Sequence, residues 1–178
     1  MNTLLLSLGL SLSLFASASP EQVVQDFWGA LKKADQESAY EHLSAKSKKD
    51  MDLKKFKKNF NIKELPKDMQ KRLVLKKTQA EEVRGSNVVV KTKVERPEFE
   101  KLMMVLPQRL MTLAYQNQGQ ELSPKDMEKI LMEESRKLPQ TTSDEKVYLV
   151  KEGGSWKVDL EKTRGGFALP VLPKSFGQ

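Results

Sequence analysis

Few side chains in this 178-residue chain are placed to do acid–base chemistry. His42 is the single histidine, and it follows Tyr40 by two positions within a helical pattern. Residues two apart on a helix do not face each other, so these two side chains cannot act at one site. Asp35 has the position of a helix cap, and Asp159 alternates onto the solvent-facing side of a predicted strand. We therefore assign no catalytic residue, although the usual pKa of histidine suits proton transfer.

Metal and cofactor chemistry also lacks candidate residues. The chain has no cysteine, which excludes disulfides, thiol catalysis and thiolate metal sites. The paired acids Glu81-Glu82 and Glu133-Glu134 have the spacing of ordinary solvated charge, and no glycine-rich phosphate-binding motif is present. We expect no metal, no cofactor and no enzymatic activity.

Residues 1–18 have the pattern of an export signal. An apolar run from Leu4 to Phe15 is followed by a small-x-small cleavage pattern that ends at Ala18. About a dozen apolar residues are too few to cross roughly 30 Å of hydrocarbon. No cysteine follows the run, so we do not expect a lipid anchor. The sequence predicts a periplasmic or secreted protein, cleaved near Ala18, with residues 19–178 forming one domain.

The net charge of +7 is concentrated in a lysine-rich stretch. Seven lysines lie between Lys46 and Lys58, and Phe56 is the one aromatic residue among them. Nucleic-acid binders usually interleave such charge with arginine and aromatic residues, so we expect no nucleic-acid partner. A solvated helix face is the favoured interpretation. Peripheral contact with an acidic membrane surface through this stretch is the alternative.

The order of helical and strand patterns predicts an α+β fold. Three amphipathic helices come first. Ser19-Pro20 begins the first, Asp35 caps the second, and the third has Leu53, Phe56 and Phe60 on its apolar face. Two predicted hairpins follow: RLVLKKTQAEEV pairs with NVVVKTKVE, and KVYLVK pairs with SWKVDL. The sequence thus predicts three N-terminal helices packed on a curved antiparallel sheet of two hairpins.

A two-helix insertion, residues 97–138, separates the hairpins. Five of the eight methionines lie in it, between Met103 and Met132. Pro107 is expected to kink or split the first helix, and Ser123-Pro124 begins the second. The tail, residues 161–178, is punctuated by glycine and proline.

Two stretches, PEQVVQDFWGALKKADQESAYEHLS and YLVKEGGSWKVD, resemble the nuclear transport factor 2-like superfamily, in particular its exported bacterial domains of unknown function. The first is similar to the opening helix, acidic turn and second helix of that superfamily, and the second to its late hairpin. The resemblance implies a cone-shaped α+β fold whose sheet encloses a cavity. Members use this cavity for catalysis, ligand binding or partner docking. The two-helix insertion departs from the pattern.

These observations favour an exported, non-enzymatic binding domain. It would hold a hydrophobic small molecule or lipid in a cavity covered by the methionine-rich helices, which are flexible enough to suit variable apolar shapes. The alternative uses the same helices for protein–protein interaction or homodimerisation in the cell envelope. A minor alternative is a small isomerase- or dehydratase-like enzyme, and both helices could instead simply complete the core. The candidate pocket residues are Phe27, Trp28, Leu31, Tyr40, Phe56 and Trp156. The candidate lid or interface residues are Phe99, Leu102, Met103, Leu106, Leu110, Met111, Met127 and Leu131.

Overall fold

The computed structural model describes residues 18–116 and 122–163, apart from the side chains of Glu82 and Val83. Within these ranges the chain forms eight α-helices, one short 3-10 helix and four β-strands, which confirms the α+β class. None of the described helices is both long enough and apolar enough to span a bilayer. The predicted leader lies outside the described residues, and so does the tail beyond Thr163.

More helices precede the sheet than the three predicted. They are α1 Pro20–Lys32, α2 Gln36–Glu41, α3 Ala45–Asp50, α4 Leu53–Asn59, a 3-10 helix Ile62–Glu64, and α5 Lys67–Arg72. Helices α1, α2 and α4 correspond to the three predicted helices, whereas α3, the 3-10 helix and α5 were not predicted. Ser44 accepts a hydrogen bond from the Ser47 N–H, and Asp52 accepts one from the Lys55 N–H. Each cap satisfies an N–H group that the first turn of a helix leaves free.

The four strands form an open antiparallel sheet in sequence order, β1-β2-β3-β4. Their bounds are β1 Val74–Arg84, β2 Asn87–Pro97, β3 Gln140–Glu152 and β4 Ser155–Val158. Both predicted hairpins are present, and Gly85, Gly153 and Gly154 supply the positive φ angles of the turns. Two register shifts in the β1–β2 pairing are bulges of the kind that bend a strand.

The core lies between one face of the sheet and the N-terminal helices. Val88 and Val90 on β2 are paired with Leu149 and Val147 on β3, and all four side chains are buried. Helix α1 covers them with the stripe Val24, Phe27 and Leu31, at the spacing of one helical face. Alternation along each strand leaves the other sheet face to solvent.

Helices α6 (Phe99–Gln116) and α7 (Pro124–Lys137) form the predicted insertion between the hairpins. Ser123 caps α7 and Pro124 occupies its first turn, as expected. Helix α6 continues through Pro107, so of the two expected effects, a kink or a split, the split does not occur. A proline removes one helical hydrogen bond, here to the carbonyl of Met103. Met103 is exposed, so water can satisfy that carbonyl.

Helix α7 is fastened to the domain at its C-terminal end by Arg72 of α5. The Arg72 guanidinium donates hydrogen bonds to the carbonyls of Ser135 and Leu138 and to the side chain of Gln140. Arg136 also pairs with Asp68, at 2.8 Å. These contacts hold the base of the α6–α7 hairpin.

Candidate functional site

The six predicted pocket residues lie together in the hydrophobic core. Phe27, Trp28, Leu31 and Phe56 are at most 4% exposed, while Tyr40 and Trp156 pack against them and are partly buried. Tyr40 meets Phe56 edge-on with ring centroids 5.5 Å apart, and its hydroxyl donates to the carbonyls of Lys48 and Met51. The six side chains are therefore part of the packed core or lie against it. The apolar-ligand hypothesis for these residues stays a prediction.

A small cavity of about 70 Å³ lies elsewhere, between the β1–β2 turn, β3 and α8 (Leu160–Thr163). Its lining includes Arg84, Tyr148, Asp159 and Lys162 and none of the six predicted pocket residues. One or two waters fit in this volume, whereas a drug-sized ligand needs several hundred Å³.

His42 lies where the second helix meets the last strand. It ends α2, and its carbonyl accepts a hydrogen bond from the Val158 N–H at 2.8 Å, which joins the helix to β4. Burial lowers the pKa of the imidazole, and the cations Lys157 and Lys48 add to this effect. The carboxylates of Asp26 and Glu41 act in the opposite direction.

Asp159 does not face solvent as predicted. Strand β4 ends one residue earlier, at Val158, and Asp159 begins the short helix α8 as a buried residue. Its carboxylate accepts a hydrogen bond from the Lys162 N–H, and its carbonyl accepts one from the Thr163 hydroxyl. The strand pattern was extended too far because Leu160 continues the alternation by chance. In the described part of the chain no cluster of histidine or acidic residues could hold a metal ion.

Four of the seven lysines in the Lys46–Lys58 stretch are neutralised by ion pairs. Their partners are Glu161 for Lys46, Glu41 for Lys48, Asp52 for Lys55 and Glu37 for Lys57, at 2.5–3.6 Å. Such exposed pairs stabilise little, but they reduce the positive field at the surface. This pairing favours the solvated-face interpretation.

The eight lid or interface candidates divide into three groups. Leu102 and Leu106 are buried; Phe99, Leu110 and Leu131 are partly buried; Met103, Met111 and Met127 are exposed. We call the single large cluster of buried apolar side chains in the described chain the main core. Among described residues from Met103 to Ile130, none belongs to it. The described residues in the outer part of the α6–α7 hairpin thus project from the main core and contribute no side chain to it.

A second apolar stripe runs along α6 on the side away from the domain. It consists of Met104, Met111 and Tyr115, whose exposed fractions are 63%, 64% and 84%. Their spacing of seven and four residues places them on one helical face, roughly 200° around the axis from Leu102. We call these three residues the outer stripe. The sequence analysis treated Met104 and Tyr115 only as lying off the main apolar face.

The outer stripe lies on an uncharged surface. Between Met104 and Tyr115 the one charged residue is Arg109, and its guanidinium points to the Glu134 carboxylate of α7, 3.8 Å away. Glu134 also accepts from Lys137 at 2.7 Å and is 7% exposed. Its prediction as ordinary solvated charge was therefore wrong. These polar groups line an open cavity of about 310 Å³ between the two helices.

Comparisons with known proteins do not assign a family. No protein-family model matches the chain, and no curated protein matches it. The candidate lipoprotein YcdA of Bacillus subtilis has a structure with a TM-score of 0.40 to this one and 19% sequence identity. The match covers 83% of this chain and 45% of YcdA, so this chain spans less than half of that protein. A likeness at this level carries no conclusion about fold or function.

Proposed function

We propose that this protein is a non-catalytic interaction domain that binds an apolar helical surface of a protein partner through α6. The single observation that carries the proposal is the outer stripe, whose three large apolar side chains are each more than 60% exposed. A helix that is apolar on two opposite sides must be covered on both. The domain covers one side of α6, and a partner is needed for the other.

The outer stripe supplies the apolar centre of an interface. Its three side chains are 63–84% exposed. Together they present on the order of 400 Å², if a large side chain contributes about 200 Å². A standard interface buries about 800 Å² per partner. The predicted leader would place this partner in the same exported compartment.

The chemistry of the surface indicates the kind of partner. The outer stripe is linear and uncharged, and its residues have the spacing of side chains that pack against another helix. The apolar-ligand hypothesis has less support, because its candidate residues fill the core.

Photo-crosslinking in cells tests the proposal. A photoreactive phenylalanine analogue replaces Met111 in the full chain, expressed with its own leader in the cells that naturally produce it. We expect a discrete protein adduct after irradiation. The matched control carries the same analogue at Lys93, an exposed residue of β2, and should give no adduct. An absence of protein adducts at Met111, or adducts to lipid alone, would overturn the proposed function.

A further inference from the structure

We infer that the partner of the outer stripe is a second copy of this chain, docked so that the two α6 helices run antiparallel about a two-fold axis. The inference rests on the proposed function, because it names the partner of the same surface. It comes from the order of residues along the stripe, from the charges beside it and from the way the hairpin projects.

The order of side chains along α6 is that of a helix-pairing seam. Met104, Gln108, Met111 and Tyr115 follow one another at intervals of four, three and four residues. Alternating intervals of three and four define the a and d positions of a coiled-coil seam. Gln108 is the polar residue of this seam, and it also lines the polar cavity towards α7. The seam is short, about three turns of helix.

The seam is complementary to itself when it is reversed. Intervals of four, three and four read the same in both directions, so an antiparallel copy places Met104 against Tyr115 and Gln108 against Met111. Each a-type position then meets a d-type position, which is the regular layer of an antiparallel pair. The axis passes between Gln108 and Met111. Such an isologous contact closes at two subunits.

The residues beside the seam let two copies approach without repulsion. The flanking positions are Val105, Pro107, Thr112 and Ala114, and none of them is charged. Helices α6 and α7 together carry six basic and five acidic side chains, a net charge of +1, against +7 for the whole chain. This nearly neutral surface therefore adds little to the repulsion between two basic chains.

The projecting hairpin makes the contact sterically accessible. The outer half of α6 adds nothing to the main core of the described chain, so its far side is free of the domain. Two such hairpins packed side by side bring four helices together, an arrangement that buries apolar helical faces efficiently.

Pairs of introduced cysteines test the geometry, since the chain has no cysteine of its own. The full chain is expressed with its leader and purified in the form that the cell produces. Met104→Cys and Tyr115→Cys proteins are oxidised separately and as a mixture. The antiparallel pair predicts that the mixture forms a mixed disulfide dimer, because its layers bring these positions within disulfide reach. Each single variant should form little disulfide by itself, since identical positions lie about 16 Å apart along the axis.

Sedimentation of the protein without cysteines supplies the second measurement. We expect a reversible dimer whose dissociation constant increases roughly tenfold or more in Met111→Glu, because the change buries an unpaired charge. Met132→Glu is the matched control. Met132 is exposed on α7, about 160° around that helix from Glu134, which faces α6. This variant should dimerise like the original.

The outcomes separate the inference from the proposed function. A monomer in sedimentation, together with cellular adducts of Met111 to another protein, would overturn the second copy while leaving the interaction domain intact. Disulfides formed within each single variant but not between them would overturn the antiparallel arrangement. A missing adduct in cells would overturn both.

Discussion

At the scale of single residues, His42 shows how position within the fold decides what a reactive side chain does. Its chemistry suits proton transfer, yet its backbone carbonyl joins α2 to β4 and its ring is half-buried. Two carboxylates and two lysines act on its pKa, and burial, which lowers this pKa, is the largest effect. Its measurable contribution is therefore to stability.

The pH dependence of unfolding should reveal this contribution. Burial lowers the pKa of His42 in the folded protein, so the unfolded chain binds more protons as the pH falls through the ordinary histidine range near 6.5. Stability should therefore increase with pH across this window. In His42→Gln the increase between pH 5 and pH 7 should be smaller, as measured by urea unfolding at each pH. Equal slopes for the two proteins would contradict the assignment.

At the scale of elements, α1 is tied to the edge of the sheet by Glu21. Its carboxylate accepts a hydrogen bond from the Ala80 N–H of β1 at 3.0 Å. The Gln25 side chain donates to the Thr78 hydroxyl nearby. Edge strands expose unpaired backbone groups, and these contacts satisfy two polar groups where α1 crosses β1.

Acid should weaken this link before it unfolds the domain. Hydrogen bonds from the backbone N–H of Glu21 itself and then from Ala80 hold the pKa of Glu21 below its usual value of 4.5. The charged Glu21 side chain stabilises the fold fully above the pKa that it has in the unfolded chain. This stabilisation is lost as the pH falls through the lower pKa of the folded protein. Glu21→Gln should thus be less stable than the original protein at pH 7, with the difference disappearing towards pH 3 in thermal unfolding. Glu128→Gln, an exposed change on α7, should show no such convergence.

At the scale of the whole molecule, the chain divides into a packed centre and a projecting hairpin. The centre combines α1–α5 with one sheet face, and it takes Leu102 from α6 and Leu138 from the end of α7. Arg72 fastens the base of the hairpin through three hydrogen bonds. The centre therefore supplies the packed core, and the hairpin carries the surface that we propose to bind a partner.

Shortening the hairpin should therefore leave the centre folded. Replacing residues 103–130 by a short glycine-serine linker keeps Leu102 and Leu131, which pack in or against the core. We expect a cooperative unfolding transition to remain, since the buried apolar side chains that the described part of the removed segment contains, Leu106 and Ile130, lie outside the main core. The dimer should be absent in sedimentation. Loss of cooperative unfolding would contradict the division into centre and hairpin.

Local patterns in the sequence determined much of the fold. The caps Ser19, Asp35 and Ser123, the glycine turns and the two hairpins are all where short-range patterns predicted them. Such features depend on residues within a few positions of each other, so hydrogen bonding along the chain decides them. The extra helices α3 and α5 were missed because they are short and charged and carry little apolar periodicity.

Only the tertiary structure decided which faces are covered. Periodicity predicted that α6 is apolar, but it could not tell that Leu102 meets the core while Met104 and Tyr115 remain exposed. The same limit explains Glu134 and Asp159, whose burial depends on partners distant in sequence or on a strand that ends early. A sequence specifies the side chains on each face of a helix, whereas burial depends on the three-dimensional packing of all the elements.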